Sequence, residues 1–439
     1  MQNFARTAAV LQGLLSTTAE EIGRACGLIQ RQREFTASSL LSTFVLGFLQ
    51  RPQPTWEFLA LVARQCGAYV TPQAVLERVT PALRDSLRQL WQAALEGVVT
   101  SEARASPLLR KFTQVLIGDS TTIALADALA EEFPGCGGSH GSGRAALKLQ
   151  VVWDYLSGRL WRLTCEAGKE HDAKSLDRAP APPAGSLSIF DLGYFAIERF
   201  RTWQQAGAHW ISRGISDLGV WEGHVSHDLH AWLAAQPKGP IDLWVEVGAR
   251  RLPCRLLALR APPEVAGQRR RKAYVKAAKK GRQPTARHLD TCDWTVFLTS
   301  CGDDLLTWKE VVVLYRVRWQ IELLFKLWKS HGLVDEHRSE DPVRQLVELY
   351  AKLIAVIVQH WLLLATCWPD DRLSLTKAAR LLRDQAPQLI AVFADRQALA
   401  DTLARWADQL TGLARISRRT TQPSNPQLLA NPELLTFNA

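Results

Sequence analysis

The run Val311-Val312-Val313-Leu314-Tyr315-Arg316-Val317-Arg318-Trp319-Gln320-Ile321-Glu322-Leu323-Leu324-Phe325-Lys326-Leu327-Trp328-Lys329 contains no glycine or proline. Its apolar spacing predicts one long helix. At about 100° per residue, Leu314, Val317, Ile321, Leu324, Phe325 and Trp328 share one apolar face. Tyr315, Arg318, Glu322 and Lys329 form a narrow stripe beside that face, with Lys326 at its edge. Arg318 and Glu322 stand four residues apart, so a surface helix laced with salt bridges is one reading. The other is that Glu322 holds a metal ion while the phenol and the cations hold phosphates. That second reading requires further carboxylates from elsewhere in the chain.

Two are found upstream. Val115-Leu116-Ile117-Gly118-Asp119 is an apolar run that ends in a carboxylate, and Ser120 to Leu125 continues it in a strand-like way. Leu187-Ser188-Ile189-Phe190-Asp191 repeats the theme. Between them, Ala146–Tyr155 and Arg159–Glu166 read as a hairpin turning at Asp154–Gly158, and His171–Arg178 as a short helix. A helix over Ile197–Ala206 and strands at His209–Arg213 and Asp293–Ser300 follow. This order predicts an α/β fold with a ribonuclease-H-like catalytic core, interrupted by a β-rich insertion and flanked by N- and C-terminal helical regions. The expected divisions are 1–106 (helical, DNA-binding), 107–215 (core, first part), 216–290 (β-rich basic insertion), 291–345 (core, second part) and 346–439 (helical).

Phosphodiester cleavage needs an activated nucleophile and a sink for charge on the leaving oxygen. Two divalent ions held by carboxylates supply both. Mg²⁺ takes hard oxygen ligands and keeps several waters, so three carboxylates suffice. Asp119, Asp191 and Glu322 are therefore the candidate metal ligands and catalytic residues.

These residues carry a family resemblance. Tyr315-x-x-Arg318-x-x-x-Glu322, with six residues and then Lys329, resembles the Y-R-E-K signature of DDE transposases of bacterial insertion sequences, specifically the insertion-sequence-four family. Ile117–Thr121 and Phe190–Phe195 resemble that family's two aspartate motifs, and the likeness spans about 112–338. The resemblance implies cut-and-paste DNA transposition with two Mg²⁺ ions, Mn²⁺ standing in for them. It implies cleavage at terminal inverted repeats, a hairpin step, joining to target DNA, and a homodimer in the synaptic complex. Tyr315, Arg318, Lys326 and Lys329 would bind DNA. Trp294 would either stack on a flipped base or serve as a core aromatic. Leu192 stands where many relatives carry arginine, which leaves that arginine's role without a counterpart. A catalytically inactive DNA-binding descendant and a nuclease without strand transfer are the rival readings.

The bulk properties agree with a polyanionic partner. Among 439 residues, 53 Lys and Arg against 43 Asp and Glu give a net charge of +10, which favours nucleic acid. Arg269, Arg270, Arg271 and Lys272 head a run through Lys276, Lys279, Lys280, Arg282 and Arg287, which reads as a solvated charge run or, favoured by the absence of any acid inside it, as a phosphate-binding arm. The eight cysteines form no CxxC pair, and no cleavable signal pattern opens the chain, so a reducing, cytoplasmic setting is expected. His224, His227 and His230 are not spaced as a diagnostic metal site. Leu349–Trp368 is long and apolar enough to span a membrane, but Lys352, Gln359 and His360 interrupt it, so a buried helix is expected. Leu61–Val79 reads as a helix-turn-helix or as a plain helical hairpin. The glycine-rich stretch Pro134–Gly143 reads as a mobile loop and the tail from Thr420 as loose.

Overall fold

Apolar runs closed by a carboxylate or a turn residue become strands, and runs with helical spacing become helices. The computed structural model describes residues 2–31, 33–97, 99, 101, 104, 106–136, 144–215, 218–236, 239–279, 281–416 and 423–435. The helices of the N-terminal third are α1 (Gln2–Gly13), α2 (Ala19–Ala25), α3 (Ala37–Gln50), α4 (Trp56–Gln65), α5 (Pro72–Leu76) and α6 (Pro81–Glu96). Next come α7 (Asp172–Asp177), α8 (Ile197–Gln205), α9 (Leu229–Ala235), α10 (Pro263–Ala278), α11 (Ala286–Asp290) and α12 (Trp308–Val317). The last are α13 (Gln320–Ser330), α14 (Pro342–Thr366), α15 (Leu375–Asp384), α16 (Ala386–Val392), α17 (Arg396–Leu413) and α18 (Asn425–Ala430). The strands are β1 (Val115–Leu125), β2 (Ala145–Asp154), β3 (Leu160–Ala167), β4 (Leu187–Phe190), β5 (His209–Arg213), β6 (Gly219–Glu222), β7 (Val225–Asp228), β8 (Ile241–Val247), β9 (Leu252–Arg260) and β10 (Trp294–Thr299).

The fold is mixed α/β, and interleaved segments make two compact units. One comprises Ser106–Asp119, His171–Trp319 and Arg419–Ala439. Its strands run in the order β1-β4-β5-β10-β9-β8-β6-β7. β1, β4 and β5 are parallel, whereas β10 is antiparallel to both β5 and β9. The segment after β5 thus adds β9, β8, β6 and β7 beyond β10, together with α9, α10 and α11. The basic run at its end is helical in α10, because alanine, lysine and arginine without internal glycine or proline from Gln268 to Ala278 favour a helix. Lys280 lies outside the described residues, and so does 137–143 of the glycine-rich stretch.

The other unit comprises Met1–Ala105, Ser120–Glu170 and Gln320–Arg418. Its hairpin pairs β2 with β3, Leu147 facing Ala167 and Val151 facing Leu163. α4 leads through Gly67, at φ 88°, to α5. The Thr71 hydroxyl caps α5 by accepting from the Ala74 N–H at 3.2 Å. The segment Leu61–Val79 therefore has the two helices and the N-cap that both a helix-turn-helix and a plain helical hairpin require, although α5 holds only five residues.

Two expectations are corrected. The tail beyond Thr420 is not loose throughout: Ser424 opens α18 with a capping box, Leu428 and Leu429 are buried, and the Leu429 carbonyl accepts from the Ser106 hydroxyl. Two adjacent leucines give this segment a buried anchor that its polar composition hides. The predicted single helix over 311–329 is two helices, α12 and α13. At the break, Arg318 N–H donates to the Tyr315 carbonyl and Trp319 N–H to that of Arg316, each at 3.2 Å. These three-residue bonds tighten the turn and interrupt the regular ladder. The apolar face holds on both sides, since Leu314, Val317, Ile321, Leu324, Phe325 and Trp328 are all buried.

α14 is the centre of its unit and is buried from Gln345 to Thr366. It packs on α3, α6 and α17, and its membrane-like composition is that of a core helix. Every polar interruption finds a protein partner. The Lys352 ammonium reaches the Glu336 carbonyl at 2.6 Å and Glu348 at 2.8 Å. The Gln359 amide donates to the Ala379 carbonyl at 3.1 Å. His360 Nε2 donates to the Gly158 carbonyl at 2.7 Å, and the Trp153 indole donates to the same oxygen at 2.8 Å. Gly158, at φ 78°, turns the β2–β3 hairpin so closely onto α14 that an added Cβ would overlap Leu364 and Trp368.

Burial pushes the His360 pKa down to about 4 from its ordinary 6.5. The folded protein therefore holds His360 neutral in a pH range where the unfolded chain protonates it. Stability is complete above about pH 6.5 and declines as pH falls toward 4, by about 3 kcal/mol over the interval. We expect urea unfolding of His360→Gln to lack this component between pH 6.5 and 5. Equal pH slopes in the variant and the wild type would rule out His360 as the source.

Candidate active site

β1 and β4 lie side by side in parallel, with Leu116 opposite Ser188 and Gly118 opposite Phe190. Asp119 and Asp191 are each the next residue beyond that last pair. The two carboxylates therefore leave adjacent strands at the same level, where parallel strands lie about 4.8 Å apart. This is where the parallel pairing ends, at the carboxyl end of β4, the side on which open α/β sheets place their ligands. Asp119 sits where β1 changes from fully buried to half-buried residues. Asp191 follows the buried run Leu187–Phe190 and starts a short 3₁₀ turn over Leu192–Tyr194.

The register depends on Gly118. An added Cβ there would overlap the ring of Phe190, which also packs against Tyr194 and Trp203. The glycine lets the aromatic ring cross over β1 immediately before the aspartates.

Arg318, at the end of α12, serves both carboxylates. Its Nη1 is 3.8 Å from Asp119 Oδ2 and its Nε is 3.9 Å from Asp191 Oδ1. These separations are ionic contacts longer than hydrogen bonds. The arginine is 15% exposed in its side chain, so the charges interact in a poorly screened setting. Tyr315, one turn earlier, is bonded to Arg318 and packs edge-on against Phe297 at 5.2 Å. Burial pushes its phenol up to about 12, against the pull of Arg318 and Arg213. It is therefore a neutral donor at physiological pH.

Arg213 joins them from the end of β5. Its guanidinium lies over the Phe297 ring at 5.4 Å, its Nε is buried with no hydrogen-bond partner, and burial pushes its pKa down. Tyr315, Asp191 and Arg318 all act on it electrostatically. The sequence marked this residue only as part of a strand. The available signal was a cation at the end of the strand adjacent to β4.

The other expected residues fall as follows. Glu322 is half-buried in the first turn of α13, four residues beyond Arg318. Lys326 and Lys329 continue its helical face. Lys326 is exposed, while the Lys329 ammonium donates to the Thr122 carbonyl at 3.1 Å and lies 3.6 Å from Asp335. Trp294 is 7% exposed, with the Arg260 guanidinium 4.5 Å above its ring. Arg269 and Arg270 bond to their own chain around β10, whereas Arg271 and Lys272 are exposed.

Among the described residues, no group of three or more His, Cys, Asp and Glu side chains is gathered to hold a metal ion. Asp119 and Asp191 nevertheless offer hard oxygen donors of the kind Mg²⁺ takes. His224 and His227 join no such group; His227 lies 3.6 Å from Glu222.

Residues 110–358, more than half of the chain, match the family of transposase DDE domains. The chain belongs to that family. All the site residues named above lie within this DDE domain. The chain is 25% identical over 366 residues to the transposase for insertion sequence element IS231F of Bacillus thuringiensis subsp. israelensis, covering 77% of this chain and 76% of that protein. It is 24% identical over 439 residues to the IS231B transposase of Bacillus thuringiensis subsp. berliner, covering 91% and 89%. The IS1151 transposase of Clostridium perfringens is 25% identical over 268 residues, 56% of each chain.

Gly118→Ala should lower stability by about 1–3 kcal/mol through the forced shift of Phe190. Adding Phe190→Leu should recover most of the loss in a urea titration. A neutral single substitution would mean that the ring does not hold the register.

Proposed function

We propose that this DDE-domain protein is the transposase of an insertion sequence. It cuts DNA at terminal inverted repeats and joins the freed 3′ ends to target DNA. The observation that carries this reading is the pair Asp119 and Asp191 at the same level of adjacent parallel strands with Arg318 between them, inside a DDE domain. The relatives, named as insertion-sequence transposases, support it.

In this reading Asp119, Asp191 and Glu322 hold the metal, Mg²⁺ or Mn²⁺. When bound, a pair of such ions supplies Lewis acidity and an activated water or 3′-hydroxyl. Arg318 balances the two aspartates at ionic range and is placed to turn to a phosphate oxygen. Arg213 has an unsatisfied donor for the same phosphate, which makes it a further candidate contact. Tyr315 donates a hydrogen bond, and Lys326 and Lys329 add positive charge. Stacking of a flipped base on Trp294 requires Arg260 to leave the ring. The helix-turn-helix of α4 and α5 is the candidate reader of the element's ends, and a homodimer would bring two ends together. The ribonuclease-H-like description rests on the hairpin β2–β3 and on parallel β1, β4 and β5. The Tyr315–Arg318–Glu322–Lys329 spacing supports placement in the insertion-sequence-four group.

Purified protein with Mg²⁺ or Mn²⁺ should nick and join DNA carrying its own element's inverted repeats. Asp119→Asn, Asp191→Asn and Glu322→Gln should each lower cleavage at least about 100-fold while end binding survives. Cleavage at wild-type rate in any of the three would remove that residue from the metal set. Cleavage without joined product in the wild type would reduce the protein to a nuclease.

A further inference from the structure

From Val265 to Leu289 the chain has nine lysines and arginines and no acid. α10 divides these cations between two faces. Ala266 and Ala273 are buried, and Arg269 and Arg270 lie on the half-buried side. The Arg269 guanidinium donates to the Trp294 carbonyl at 3.0 Å, the Cys292 carbonyl at 3.3 Å and the Thr295 hydroxyl at 2.9 Å. Arg270 pairs with the Asp293 carboxylate at 2.5 Å. Gln268, Arg271, Lys272, Val275, Lys276 and Lys279 are all exposed, in a stripe whose edge at Lys276 borders Arg269, two turns earlier. Their spacing of three and four residues places them in one stripe.

We propose that α10 is a two-sided DNA-binding helix: Arg271, Lys272, Lys276 and Lys279 contact the phosphate backbone of duplex DNA, while Arg269 and Arg270 anchor the helix to the start of β10. The proposal rests on the reading that the protein acts on DNA, and it separates contacts from anchors among cations that sequence alone groups together. From Arg271 to Lys279 the stripe runs about 12 Å along the helix axis. One DNA strand presents a phosphate about every 3.4 Å of duplex axis, so three or four fall within that length. A membrane surface fits less well, because an interfacial helix needs a broad free apolar face. Here the inner face is occupied by alanines and anchoring arginines, and the exposed apolar side chains Val265, Tyr274 and Val275 are spread around the helix rather than gathered on one face. The anchors join this surface to the first two residues of β10, so DNA held on α10 is held against a fixed strand.

The test measures binding of the full chain to a random-sequence duplex across a salt series. Neutralising all four cations, Arg271→Gln with Lys272→Gln, Lys276→Gln and Lys279→Gln, should reduce the slope of log K against log salt by about 3 to 4. The double variant Lys276→Gln with Lys279→Gln should reduce it by about 2. Arg269→Gln should lower the melting temperature and leave the slope unchanged. A wild-type slope in the quadruple variant overturns the proposal and leaves the transposase reading intact. A slope loss in Arg269→Gln without any fall in melting temperature overturns the assignment of anchors. If wild-type protein binds no duplex at all, the reading on which the proposal rests fails as well.

Discussion

One guanidinium between two carboxylates organises the candidate site. Asp119 and Asp191 emerge from neighbouring parallel strands, and two like charges at that separation destabilise each other unless a cation intervenes. Arg318 supplies it at 3.8 and 3.9 Å. Several otherwise separate features serve that contact. The register of β1 on β4 levels the aspartates, and Gly118 makes room for the ring that holds the register. The tight turn after α12 presents Arg318 from the end of that helix rather than from its middle. Tyr315 and Arg213 then surround the arginine with a neutral donor and a second cation. Contacts near 4 Å between flexible ends can be exchanged for new partners with little reorganisation, as a site that receives a polyanion requires.

The sequence made much of this legible because its signals are local. An apolar run that ends in aspartate marks a strand reaching the margin of the core, and both such runs are strands. The apolar face of α12 and α13 follows from spacing alone, and every residue assigned to it is buried. What periodicity could not reveal was the interruption at Arg318 and Trp319, since the apolar pattern passes through a tightened turn without losing phase. Arg213 was hidden for a related reason: its significance comes from the neighbours of β5 in the sheet, not from residues near it in the chain. In α10, charge counting found the cations but could not tell those turned toward β10 from those turned to solvent. Leu428 and Leu429 show the opposite failure, where a polar, proline-bearing stretch concealed two buried side chains.

α14 carries a consequence for biosynthesis. A nascent 25-residue segment of this hydropathy meets, by length and composition, the requirements of a membrane-inserted helix. Lys352 near its middle opposes insertion by about 2.5–3.5 kcal/mol on translocon scales. The same ammonium that bridges Glu336 and Glu348 after folding thus discourages mistargeting before it. Order of synthesis helps too: α3 and α6, which cover α14, leave the ribosome well ahead of it. This long apolar helix is made only after much of its shelter already exists.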